Sequence, residues 1–118
     1  MKRKTYKAIF VGSKKDETLA HMFAIVGFDS LIVETDADVL DALGRIIERH
    51  GDDYALVVMH ERFVRATRLV RENIREASET LPAFLFIPDV REPKYEQLEE
   101  IRELLKRALG VSPELLGK

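Results

Sequence analysis

Cysteine is absent from the 118 residues. Disulfides, thiolate zinc sites and cysteine nucleophiles are thereby excluded, in keeping with a reducing compartment such as the cytoplasm. An excess of one charge is absent too. With 19 basic and 21 acidic side chains the formal net charge is -2, so no global field draws the chain to nucleic acid or an anionic membrane. No apolar run approaches the roughly 20 residues of a membrane-spanning helix. The basic start, Met1 to Lys7, leads into an apolar run of only Ala8 to Val11, too short for a signal-peptide core and read as the lead-in to a strand. Repeats, low-complexity tracts and linkers are missing as well. What remains, 46% hydrophobic and 34% charged residues, is the composition of one folded domain with a heavily ionised surface.

Apolar runs rich in β-branched and aromatic residues recur at Tyr6–Val11, Leu31–Glu34, Tyr54–Met59 and Ala83–Ile87, each followed by a segment of helical periodicity. The first such segment places Leu19, Met22, Phe23 and Val26 on one stripe, with Asp16 as N-cap and Gly27 just past the end. The second starts within Thr35–Asp38, carries Leu40, Leu43 and Ile47 flanked by Val39 and Ile46, and stops at His50-Gly51. The third spans about Glu61 to Ser78 with Phe63, Thr67, Val70, Ile74 and Ala77 inward. The fourth spans about Tyr95 to Leu109 and ends at Gly110; its early glutamates and late bases suit the helix dipole. This βαβα alternation predicts an α/β fold of three layers: a short parallel four-stranded sheet, order 2-1-3-4, with helices on both faces and a C-terminal helix free to move. Residues 1–94 form the core; residues 95–118, the last helix and tail, are a detachable unit.

In open parallel sheets ligands bind beyond the carboxyl ends of the strands. Those ends hold Ser13, Thr35, His60 and Asp89. A hydrolase built on Ser13, His60 and Asp89 would need the Gly-x-Ser-x-Gly elbow, which Gly12-Ser13-Lys14 is not. The turn Gly12-Ser13-Lys14-Lys15-Asp16 lacks the further glycines of a phosphate cradle and reads as an ordinary strand-to-helix turn. His21, His50 and His60 lie in separate segments without ligand spacing, so neither metal nor cofactor is expected; His50 reads as a helix C-terminal cap and Asp52-Asp53 as a solvated turn. Arg62, Arg65, Arg68, Arg71 and Arg75 form a ridge on the third helix. Glu61, Glu72 and Glu79 sit at i, i+4 from Arg65, Arg68 and Arg75, so a self-paired solvated face is expected rather than a nucleic-acid surface. The fourth helix differs: Leu98, Ile101, Leu104, Leu105, Ala108 and Leu109 make a sector wider than one sheet-facing stripe needs, followed by Leu115 and Leu116. Deep burial or a second face turned to another chain would each explain it.

Three segments together resemble the small F subunit of the rotary V/A-type ATPases: Ile9-Phe10-Val11-Gly12; Leu56-Val57-Val58-Met59-His60-Glu61-Arg62; and Pro82-Ala83-Phe84-Leu85-Phe86-Ile87-Pro88-Asp89. The end of the last helix, Arg102 to Gly110, is similar as well. The chain departs from that family at Ala20–Gly27, where only the closing glycine of a Gly-Phe-x-Leu-x-Gly segment survives, and at Phe86, which replaces a glutamate. The resemblance implies a non-catalytic central-stalk subunit, cytoplasmic and peripheral to a membrane-bound complex. Its expected neighbours are the coiled-coil D subunit and the catalytic A/B hexamer, met through Ile87, Pro88, Asp89, Leu98, Ile101, Arg102, Leu105 and Leu109. The segment Val90–Lys94 would be the hinge of a mobile helix. The rival reading is a receiver-like docking domain working without phosphate, since Ser13 and His60 stand where a receiver needs acids.

Overall fold

The computed structural model describes residues 6–50, 54–77 and 82–110. Four strands, β1 (Lys7–Ser13), β2 (Asp29–Val33), β3 (Tyr54–His60) and β4 (Ala83–Ile87), pair in parallel in the order β2-β1-β3-β4. Their β-branched and aromatic side chains suit the pleat. The helices are α1 (Glu17–Ile25), α2 (Asp36–His50), α3 (Arg68–Glu76) and α4 (Glu96–Leu109). Both the α/β class and the strand order expected from the sequence are found.

Side-chain alternation along the strands builds a core on each face of the sheet. One face holds Ile9, Val11, Val57, Met59 and Phe86 against Val39, Leu43 and Ile46 of α2 and against Phe63 and Val64. The other holds Phe10 and Val58 against Ala20 of α1, with Phe23 stacked on Phe10 at 5.3 Å between ring centroids. Each buried side chain of this size contributes roughly 1.5–3 kcal/mol, so these two clusters dominate the stability.

Three segments differ from the expected pattern. The inward side of α1 is formed by Leu19, Ala20 and Phe23, leaving Met22 and Val26 exposed, because α1 rests on the strip around Phe10 rather than across the whole sheet. On α2 the inward line runs through Val39, Leu43 and Ile46, with Leu40 at its margin. The expected third helix is broken. A 3-10 turn at Glu61–Phe63 comes first, where the Arg62 N–H donates to His60 Nδ1 at 3.0 Å, and the α-helix starts only at Arg68. The Thr67 hydroxyl donates back to the Phe63 carbonyl at 2.7 Å, an alternative to regular helical bonding that fits the delayed start. Gly27 (φ 100°) and Gly110 (φ 65°) take left-handed conformations behind α1 and α4, where they end the helices as expected. The tail after Gly110, the turn 51–53 and the end of the third segment at 78–81 lie outside the described residues.

Candidate interaction site

The carboxyl ends of β1 and β3 meet in a crevice of 960 Å³ whose walls include Lys15, Asp16, His60, Arg62, Pro88 and Asp89. Asp16 is 2% exposed, and its carboxylate accepts the Ser13 N–H at 2.9 Å and both terminal nitrogens of Arg62, one at 2.8 Å. A side-chain oxygen therefore already fills the space beside this glycine turn and takes the backbone N–H that an anion bound there would need. Gly12 is small for this reason: a Cβ there would come within 2.6 Å of Asp16 Oδ2. Asp16 thus stands at the start of α1 without capping it through its side chain. Arg62 also donates to Ser13 Oγ at 2.9 Å and lies over the Phe63 ring at 4.6 Å. The Ser13 hydroxyl above all, then Lys15 and Arg62, hold the Asp36 carboxyl below its usual range.

The Ser13, His60 and Asp89 trio does not assemble. His60 Nδ1 accepts the Arg62 N–H, so the ring proton sits on Nε2 and points to Asp89 Oδ2 at 3.2 Å. Both ring nitrogens are thus engaged, and neither contacts Ser13, whose oxygen faces Arg62. This geometry supplies no activated serine. Asp89 in turn caps its own loop: the Glu92 and Arg91 N–H groups, with a smaller part from His60, hold its carboxyl below the usual range.

Beyond Asp89 the chain is tied down by one buried carboxylate. Glu61, 3% exposed, accepts backbone N–H bonds from Asp89 (2.8 Å), Lys94 (2.9 Å) and Glu96 (3.1 Å). It thereby fixes the loop and satisfies an orphan donor at the start of α4. The next residue, Gln97, works as a substitute strand: its Oε1 accepts the Phe86 N–H and its Nε2 donates to the Phe84 carbonyl, both at 3.0 Å. The outer edge of β4 is thus sealed by a side-chain amide. Replacing Gln97 with alanine is expected to lower stability by about 1 kcal/mol and to speed hydrogen exchange at the Phe86 amide, measurable by NMR.

Three arginines of the ridge, Arg65, Arg68 and Arg71, reach α4. Arg71 holds Glu100 through two nitrogens, one at 2.9 Å, with both side chains largely buried, and lies over the Phe86 ring at 5.0 Å. Arg65 reaches Glu96 at 3.5 Å and Arg68 reaches Glu103 at 4.0 Å, but these pairs are open to solvent and contribute little. Of the expected i, i+4 pairs, Arg68 with Glu72 forms at 3.2 Å; Glu61 is taken by backbone amides instead of Arg65, and Glu79 lies outside the described residues.

Polar contacts consequently hold α4, and its apolar line faces outward. Leu98, Ile101, Leu105 and Leu109 are 46%, 45%, 43% and 62% exposed, and no residue of α4 is buried. Arg102, beside them, pairs with Glu99 at 3.3 Å. Ile87 is only partly exposed, packed beside the Phe10 cluster, and Pro88 and Asp89 line the crevice. The eight residues expected to meet partners thus divide into a strand-end group and a helix line. Glu61, Gln97 and the Arg71–Glu100 pair were not singled out for these contacts by the sequence; the Glu-Arg following β3 was the only signal.

Among the described residues no helix is long and apolar enough to cross a membrane. Neither the curated proteins nor the solved structures contain a match to the chain. A family model does match, over residues 10–105, spanning β1 through most of α4. The chain therefore belongs to the ATP synthase (F/14-kDa) subunit family.

Proposed function

We propose that the chain is a non-catalytic central-stalk subunit of a rotary V/A-type ATPase, cytoplasmic and peripheral to the membrane-bound complex. It couples ATP hydrolysis or synthesis to ion translocation through protein contacts alone. The observation carrying this reading is the outward apolar line of α4. Its spacing, Leu98, Ile101 and Leu105 at three and then four residues, is that of a coiled-coil seam, and its most direct complement is a long helical stalk subunit, here the coiled-coil D subunit. Full burial of these side chains would add roughly 1 kcal/mol each beyond what the free chain already gains. In this reading Ile87, Pro88, Asp89 and Arg102 border the contact, and residues 95–118 are the unit able to leave the core and reach towards the catalytic A/B hexamer.

The test is reconstitution with the purified coiled-coil subunit, followed by calorimetry. Leu98→Asp with Ile101→Asp should weaken binding at least tenfold while moving the thermal midpoint little, since both positions are nearly half exposed. Unchanged binding by the double variant would refute the assignment of this face. For the wider role, the whole complex would be assembled with and without residues 95–118, and loss of coupling between hydrolysis and ion flow is the expected result.

A further inference from the structure

The two edges of the sheet are finished differently. On β4 the Gln97 amide seals the edge. On β2, which pairs only with β1, no strand among the described residues lies along the outer edge. Natural edge strands are usually blunted by lysine, proline, a bulge or a covering element. Leu31-Ile32-Val33 carries no lysine and no proline, and its register with β1 is regular.

Beside this edge lies a groove of 540 Å³ between β2 and α2. Leu31 and Val33 from the strand, with Ala42 and Ile46 from the helix, supply its apolar lining. Around it stand three carboxylates, Glu34, Asp38 and Asp41, against one guanidinium, Arg45, which is already paired with Asp41. The groove is apolar inside and negative outside.

We propose that this edge and groove bind an extended segment of a partner protein, with apolar side chains at alternate positions and a lysine or arginine on the same face at each end. Only an extended chain can satisfy the open N–H and C=O groups of β2, as in strand addition elsewhere. Its alternate side chains then point to one face, where the groove receives the apolar ones, and a cation two residues beyond them at either end points to the same face, towards Glu34 and Asp38. A second copy of this chain is a poorer occupant. Its β2 is bounded by Asp29 and Glu34 and carries no cation, so a second copy would bring acids rather than bases to the negative rim. The site lies at the edge opposite α4, so occupation of one leaves the other open.

The test uses two nine-residue peptides with valine at positions 3, 5 and 7 and threonine at the even positions, one with lysine and one with glutamate at positions 1 and 9, titrated into the isotopically labelled full chain. The basic peptide should shift amide signals of residues 29–34 and 38–46 and bind at least tenfold more tightly than the acidic one. Glu34→Lys with Asp38→Lys should reverse that preference; both positions are exposed, and an unchanged circular dichroism spectrum verifies the fold. Three outcomes would overturn the proposal: equal affinity for the two peptides, shifts confined to α4, or a dimer in sedimentation that Leu31→Lys dissolves. The last would mean that another copy occupies the edge.

Discussion

Asp16→Ala is expected to lower folding stability by about 3 kcal/mol, read from urea unfolding, with no loss of sheet content at low denaturant. Two features set the size. The carboxylate is 2% exposed and accepts three hydrogen bonds, and its removal strands the Arg62 guanidinium beside a buried serine with only Asp36, 3.7 Å away, for charge compensation. Removing one partner of a buried pair typically costs 3–5 kcal/mol. About a quarter of the Arg62 side chain reaches water, which places the effect at the lower end. Lys15→Ala, which breaks the neighbouring but exposed pair with Asp36, should change stability by less than about 0.5 kcal/mol. A loss below about 1 kcal/mol in Asp16→Ala would mean that Arg62 turns fully to Asp36 and that the plug beside Gly12 is dispensable.

Glu61→Ala is expected to lower stability by about 2–3 kcal/mol and, unlike Asp16→Ala, to loosen α4 selectively. The carboxylate receives three backbone N–H groups from the loop and the start of α4. In hydrogen exchange the amides of residues 94–100 should lose protection while those of β1 and β3 keep theirs. The same contact gives α4 a pH dependence. Burial pushes the Glu61 carboxyl up, but the N–H groups of Asp89, Lys94, Glu96 and Tyr95 outweigh it and hold the group below its ordinary value. Glu100 is lowered as well, by its bonds to Arg71 working against burial. Both carboxylates bind protons less readily folded than unfolded. Their stabilisation is therefore complete above about pH 4.5, the unfolded value, and lost as pH falls through the lowered folded values. Protection of the α4 amides should fall on acidification below that point before the sheet unfolds. Protection that is flat from pH 6 to pH 3 would contradict the carboxylate account.

The strands and their order were legible because period and composition act locally: Phe10-Val11, Val57-Val58 and Phe84-Leu85-Phe86 leave few alternatives to a doubly covered sheet. Helix ends at Gly27 and Gly110 were legible for the same reason, since only the backbone is involved. The interior of the third segment was not. Thr67 reads as a regular inward helix residue and Arg62 as a helix-surface one until Phe63, Asp16 and Ser13, distant in sequence or a turn away, compete for their hydrogen bonds. The arginine ridge failed in part for a related reason. Spacing on one helix predicts pairs within it, whereas Arg71 and Glu100 meet across 29 positions of sequence. The outward line on α4 was visible as an over-wide apolar sector, but its direction depended on Gln97 and Glu100, whose anchoring contacts are set by the sheet edge and by α3.

Tyr95, immediately before α4, has φ 54° and ψ 45°, the single described residue other than glycine in the left-handed region. For a side chain of this kind that conformation stores about 1 kcal/mol of torsional energy. The knot of hydrogen bonds around Glu61 holds the joint wound. If the terminal segment leaves the core as proposed, this residue can relax, which would favour the released form about fivefold. In the proposed role the junction would act as a small sprung catch, and a partner arriving at the greasy side of the helix would find part of the work of opening already done.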